Sequence, residues 1–177
     1  MKKIILVGYM GVGKSTIGES LAKQLHLPFY DLDQIIEKQE QQSINDIFKT
    51  KNQLYFRKLE QSVLETFLNQ HDHYILSLGG GTICYGNALK LIKQEGILSI
   101  YLKASIETLV KRLSINQKSR PLIKNLPLEQ LPEFIAKHLF ERQTYYHQCH
   151  HTITTDALNK ETICNQIIKL KTIKRPL

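Results

Sequence analysis

The nine residues Gly8-Tyr9-Met10-Gly11-Val12-Gly13-Lys14-Ser15-Thr16 fit the pattern G-x-x-x-x-G-K-[ST]. They follow the apolar run Ile4-Ile5-Leu6-Val7 directly and precede a stretch of helical period, the setting in which this pattern forms a phosphate-binding P-loop. Glycines let the backbone curl until several N–H groups point at one anion, and the start of the helix adds its partial positive charge. Gly11, Val12, Gly13, Lys14, Ser15 and Thr16 are therefore read as the cradle of a nucleoside triphosphate, with Lys14 on the β/γ oxygens and Ser15 on Mg²⁺. A loop of this type serves many activities, so the acceptor must be sought elsewhere in the chain.

Charged residues at short spacing supply candidates. Asp31 and Asp33 close a second apolar stretch, and at i and i+2 of an extended chain both carboxylates point to one side. One can hold a water on Mg²⁺ and the other can orient an acceptor hydroxyl; the alternative is that Asp33 only caps a helix starting near Gln34. Phe56, Glu60, Val63 and Phe67 share one helical face, and Arg57 stands three positions before Glu60. On an inward face that ion pair is expensive to desolvate and points to an anion; at a rim it is an ordinary solvated pair. Arg142 lies on the stripe Leu131, Phe134, Ile135, Leu139, Tyr146, where it either joins Arg57 in clamping a carboxylate or extends to the surface. Gly79-Gly80-Gly81 removes side chains where a ligand would approach the backbone, or else makes a flexible turn. Arg120 is either a cation that swings onto a phosphate or a lone exposed arginine.

Short apolar runs alternating with helical segments must position these groups, which predicts a parallel sheet covered by helices on both faces. Strands are expected at Ile4–Val7, Phe29–Leu32, Tyr74–Leu78, Ile97–Leu102 and His151–Thr154, the last at an edge. Helices are expected over Lys14–Leu25, a short segment capped by Ser43, Asn52–Leu68, Asn87–Glu95, Ser105–Leu113, Leu128–Tyr146 and Lys160–Leu170. Ser114–Pro127 is polar, holds two prolines and has no period, as expected of a functional loop. The fold class is α/β: a P-loop kinase fold with about five parallel strands, forming one domain over residues 1–177 with a mobile lid at about 114–127.

Composition narrows the partners. Lys and Arg number 24 against 16 Asp and Glu, giving +8, but the basic residues are scattered, which favours small anions over a nucleic-acid patch. Apolar runs are far shorter than the roughly 20 residues that span a bilayer, and the four apolar residues before Gly8 are too few for a signal peptide. No membrane association is expected, and a cytoplasmic location is. Cys84, Cys149 and Cys164 form no metal-ligand or disulfide pattern, and the seven histidines lack the partners of a zinc helix.

Taken together, Gly8-x-x-Gly11-x-Gly13-Lys14-Ser15-Thr16, Asp31-x-Asp33, Ser43-Ile44-x-Asp46-Ile47-Phe48, Phe56-Arg57-x-x-Glu60, Gly79-Gly80-Gly81, Arg120-Pro121-Leu122, and Arg142 with Tyr146 resemble the shikimate kinases from Ile4 to about Thr154. The resemblance implies transfer of the γ-phosphoryl of ATP to the 3-hydroxyl of shikimate, on the route to chorismate and the aromatic amino acids, with Mg²⁺ as cofactor. It implies that Gly11 to Thr16 bind ATP, that Ser15 ligates the metal and that Asp31 reaches it through water. Asp33, Arg57, Gly80 and Arg142, with Gly79 and Gly81 beside them, would hold shikimate, and Glu60 would support Arg57. Arg120 would contact ATP from the lid, and Arg112 would stack on adenine, although Leu113 stands where some members carry a second arginine. Lys14, Asp33 and Arg120 are the implied catalytic residues, and a monomer acting on ATP and shikimate is expected. Rival readings are another small-molecule kinase of the gluconate type and a nucleotide-binding regulator without turnover.

Overall fold

The computed structural model describes residues 3–115, 117, 120 and 122–172. Asn116, Lys118, Ser119 and Pro121, part of the expected lid, lie outside the described residues, as do both chain ends. Five strands form one sheet: β1 (Lys3–Val7), β2 (Phe29–Asp31), β3 (Tyr74–Ser77), β4 (Ile97–Lys103) and β5 (His151–Thr154). Their order is β2-β3-β1-β4-β5 and every pairing is parallel, with Ile5 opposite Leu76 on one side and Ser99 on the other. The three central strands are apolar nearly throughout because helices cover both faces.

Alternation along β1 divides the core. Ile4 and Leu6 pack with Ile17 and Leu21 of α1 (Lys14–Leu25), and with residues of α6 (Ile106–Ile115), α7 (Leu131–Tyr146) and α8 (Lys160–Thr172). Ile5 and Val7 pack on the other face with α2 (Leu32–Glu40), α3 (Ile44–Thr50) and α4 (Gln53–Gln70). Each buried Leu or Ile removes enough apolar area from water to favour folding by about 1.5–3 kcal/mol. After β3 the chain crosses to the far side of β1, so the crevice beyond the carboxyl ends of β1, β2 and β3 lies at a topological switch point.

Several boundaries differ from the sequence expectations for local reasons. The second strand stops at Asp31, because Asp31 caps α2 by accepting from the Asp33 amide. The helix expected from Asn87 to Glu95 is only Ala88–Leu91 (α5); Lys93 and Gln94 donate three residues back, which tightens the chain into turns. The helix expected from Leu128 begins at Leu131, after a 3₁₀ turn over Leu128–Gln130. Pro132 has no amide hydrogen to give Leu128, and proline fits only in the first helical turn. No helix among the described residues is long and apolar enough to cross a membrane.

Candidate active site

The start of α1 is unlike the starts of its neighbours. Asp31, Ser43 and Asn52 cap α2, α3 and α4 through their side chains. α1 has no side-chain cap and no acidic residue in its first turn, and its first amides are left for an external anion. Gly13 makes this possible by entering the helix at φ 100°, a conformation a side chain would strain. Lys14 Nζ curls back to donate to the carbonyls of Gly8 at 2.8 Å and Tyr9 at 3.2 Å. Desolvation lowers its pKa to about 8, opposed by the charges of Asp33 and Asp31.

The carboxylates converge by a route the strand argument did not foresee. Asp31 ends β2 as a helix cap and Asp33 lies in the first turn of α2, so it is cap geometry and not strand alternation that brings them together. The idea that Asp33 only caps a helix fails, since Asp31 is the cap. Asp31 Oδ2 accepts from Ser15 Oγ at 3.0 Å. A hydroxyl and a carboxylate so placed are the hard oxygen donors that Mg²⁺ prefers. Burial pushes Asp33 up to about 6, helped by the negative charges of Asp31 and Glu60 and opposed by Lys14.

Arg57 and Glu60 form a largely desolvated pair in which Glu60 is buried and Arg57 mostly so: Nη1 donates to Oε2 at 2.6 Å, with side chains 16% and 3% exposed. The solvated-rim reading is excluded. The other carboxylate oxygen, Oε1, accepts from Thr82 Oγ1 at 2.6 Å, while Arg57 Nε is buried with no partner among the described residues. Arg142 Nη1 donates to the Gly80 carbonyl at 3.3 Å, and Tyr146 donates to the same oxygen. Cys84, its thiol raised by burial, feels the positive fields of both Arg142 and Arg57, placing the two cations around one spot.

The triple glycine is the wall where these groups meet. An added Cβ would come within 3.0 Å of Asp33 Oδ1 at Gly79, 3.2 Å of the Met10 amide at Gly80, and 3.0 Å of Arg57 Nη2 at Gly81. A cleft of about 530 Å³ runs along this wall, lined by Gly11 to Thr16, Asp31, Asp33, Gly79, Gly80, Arg112 and Arg120. Arg57, Glu60, Gly81 and Arg142 do not line it; they adjoin it through the glycine wall. Arg120 reaches inward, its Nε buried without a partner among the described residues and its guanidinium in the field of Asp33. Arg112 donates to the Val12 carbonyl at 3.0 Å while lining the cleft, so it braces the phosphate loop from the cleft side.

Sequence reasoning missed several residues. Thr155, Leu158 and Lys160 complete the far end of the cleft, and their place just beyond the carboxyl end of β5 was the available signal. Thr82 and Tyr85 follow the triple glycine but gave no periodic or charge signal. Tyr9, inside the phosphate loop, bonds His138 Nδ1 at 3.2 Å and lies beneath Arg142.

A family model described as shikimate kinase matches residues 10–171. The chain is 46% identical over 170 residues to a shikimate kinase of Flavobacterium psychrophilum, spanning 96% of this chain and 99% of that protein. It is 49% identical over 156 residues to one of Flavobacterium johnsoniae, spanning 88% and 91%. The fold superposes on shikimate kinase from Acinetobacter baumannii in complex with shikimate with a TM-score of 0.87 at 30% identity, covering 98% of this chain and 96% of that one.

Proposed function

The chain belongs to the shikimate kinase family and is accordingly an ATP-dependent kinase, and we propose that its cleft moves the γ-phosphoryl of ATP to the 3-hydroxyl of shikimate with the following division of labour. The uncapped start of α1 and the loop Gly11 to Thr16 bind the triphosphate. Lys14 leaves the Gly8 and Tyr9 carbonyls for the β/γ oxygens, and phosphate charge then restores its full positive state. Ser15 and Asp31 would hold Mg²⁺, which when bound offsets the charge of the phosphate oxygens.

Arg57 and Arg142 take the carboxylate of shikimate, with Glu60 holding the first and the Gly80 carbonyl the second. Asp33 faces the acceptor hydroxyl, accepts its hydrogen bond and keeps its oxygen aimed at phosphorus. Arg120 adds positive charge where charge builds up during transfer, Arg112 and Lys160 flank the nucleotide's far end, and Gly79 to Gly81 let ligand and backbone touch. Positioning and charge stabilisation of this kind are most of what phosphoryl transfer requires. In this reading the chain acts as a monomer in the cytoplasm.

The observation that carries the proposal is the largely desolvated Arg57–Glu60 pair beside Asp33 at the glycine wall, since a cation held there, apart from the phosphate loop, calls for a second anionic ligand. An ATP-consumption assay with a panel of hydroxylated acids tests it. Release of ADP should depend on shikimate and on Mg²⁺, and Lys14→Ala should nearly abolish it without unfolding the protein. A folded, ATP-binding preparation that ignores shikimate would refute the assignment.

A further inference from the structure

Arg57 is held by Glu60 and flanked by two aromatic rings, that of Phe56 on its own helix with its centroid 5.2 Å from Cζ and that of Tyr85 closer still. Glu60 holds Nη1 at 2.6 Å. The ring of Tyr85 lies against the guanidinium, its centroid 4.2 Å from Cζ, far closer than the 5.7 Å between Arg142 and the Tyr9 ring. Tyr85 comes directly after the 3₁₀ turn Thr82–Cys84 that leaves the glycine wall.

The chain just after this turn meets α4 at two points. Gln53 Nε2 donates to Tyr85 Oη at 3.3 Å. Gly86 takes φ 57°, and a Cβ there would fall 1.7 Å from Gln61 Oε1, so the chain lies against the helix at a point where a side chain has no room. Gln53 and Gln61 stand one turn before and one turn after Arg57, so the loop is laid along the helix with the aromatic ring over the cation. The ring itself remains 39% exposed. It covers Arg57 and contributes little to the core.

A guanidinium binds a carboxylate through two parallel hydrogen bonds only when its plane is correctly turned. Glu60 fixes one nitrogen and leaves rotation about that bond open. An aromatic face removes this freedom without consuming any N–H, because it attracts the cation through its π electrons. We propose that Tyr85 is a positioning residue that sets the plane of Arg57, leaving its free donors aimed at the carboxylate of the acceptor. The proposal rests on the reading of Arg57 as the carboxylate clamp.

The test is steady-state kinetics with ATP and shikimate, together with thermal unfolding, on the full chain carrying Tyr85→Ala, Tyr85→Phe or Tyr85→Leu. Tyr85→Ala should raise the KM for shikimate roughly three- to tenfold, with kcat and the KM for ATP within about twofold of wild type. Tyr85→Phe should recover most of the loss, whereas Tyr85→Leu, apolar but without a π face, should behave like alanine. In an Arg57→Lys background the effect of Tyr85→Ala should shrink, as for two residues acting through one contact. An unchanged shikimate KM in Tyr85→Ala, a leucine variant as good as phenylalanine, or a loss confined to kcat and melting temperature would overturn the inference alone. A wild-type enzyme that neither binds nor phosphorylates shikimate would overturn the underlying reading and this inference with it.

Discussion

Asp33 shows how one side chain is shaped by opposing demands. Its carboxyl titrates near 6, above the ordinary 3.8, through burial and the neighbouring negative charges of Asp31 and Glu60. It is therefore mostly ionised at neutral pH and becomes protonated a little below it. If the ionised form serves the acceptor hydroxyl, kcat/KM for shikimate should fall as pH drops through about 6, a limb that a pH–rate profile reads directly. The same shift carries a stability consequence of defined sign. A carboxyl whose pKa is raised by folding favours the fold below its unfolded pKa, and this contribution is lost as pH rises through the folded value. Asp33→Asn should thus be inactive yet more stable than wild type near about pH 7.5, by about 1–2 kcal/mol once the linkage value is reduced for solvent contact. Denaturant unfolding should show the difference vanishing below about pH 4. An asparagine variant less stable than wild type at neutral pH would contradict this account.

Among the elements, the termini of helices do most of the positioning. α1 leaves its first amides open, α2 is capped by the carboxylate that also meets Ser15, and α7 carries Arg142 and Tyr146 to one carbonyl of the glycine wall. The connection from α6 to α7 is less simple than its polar sequence implies. Ile123 is fully buried in the core, and Gln117 donates to the carbonyls of Ile123 and Leu126, so this connection is pinned at one point. We expect Arg120, just before that anchor, to act chiefly once both substrates are bound, when extra charge on the phosphoryl group matters most. Arg120→Ala should lower kcat by about a hundredfold while changing the KM for shikimate less than about threefold. Trypsin cleavage after the exposed Lys124 should slow in the presence of an ATP analogue and shikimate together. Unchanged kcat with unchanged cleavage would show this stretch to be a passive surface loop.

At the scale of the whole molecule, the chain carries a formal +8 and is assigned two anionic substrates. A positive field raises the encounter rate with anions and is screened over about 10 Å at 0.1 M salt. Raising ionic strength from about 20 to about 300 mM should therefore lower kcat/KM for both substrates several-fold while kcat at saturation changes less than about twofold. Kinetics insensitive to salt would mean that the scattered surface lysines do not steer either ligand.

The sequence by itself determined the phosphate loop, because its chemistry is local: closely spaced glycines, a lysine and a hydroxyl act within one loop and the first turn of its helix. It also determined the alternation of strands and helices, since apolar period is a property of neighbours along the chain. The residue types of the acceptor site, Asp33, Arg57, Glu60, Gly79 to Gly81 and Arg142, were legible as candidates, each with an ordinary alternative. Only the tertiary structure chose between them, because burial decides what a charge costs and no window of sequence states burial. The Arg57–Glu60 pair could be told from a solvated surface pair only once α4 was seen to turn it inward. Asp31 and Asp33 needed the cap of α2, while α5 stopped short of its periodic pattern at a run of turns and α7 began late in its own, next to Pro132. Tyr85 was invisible for the same reason in its strongest form: its partner lies 28 positions earlier in the chain, and only the fold lays one against the other.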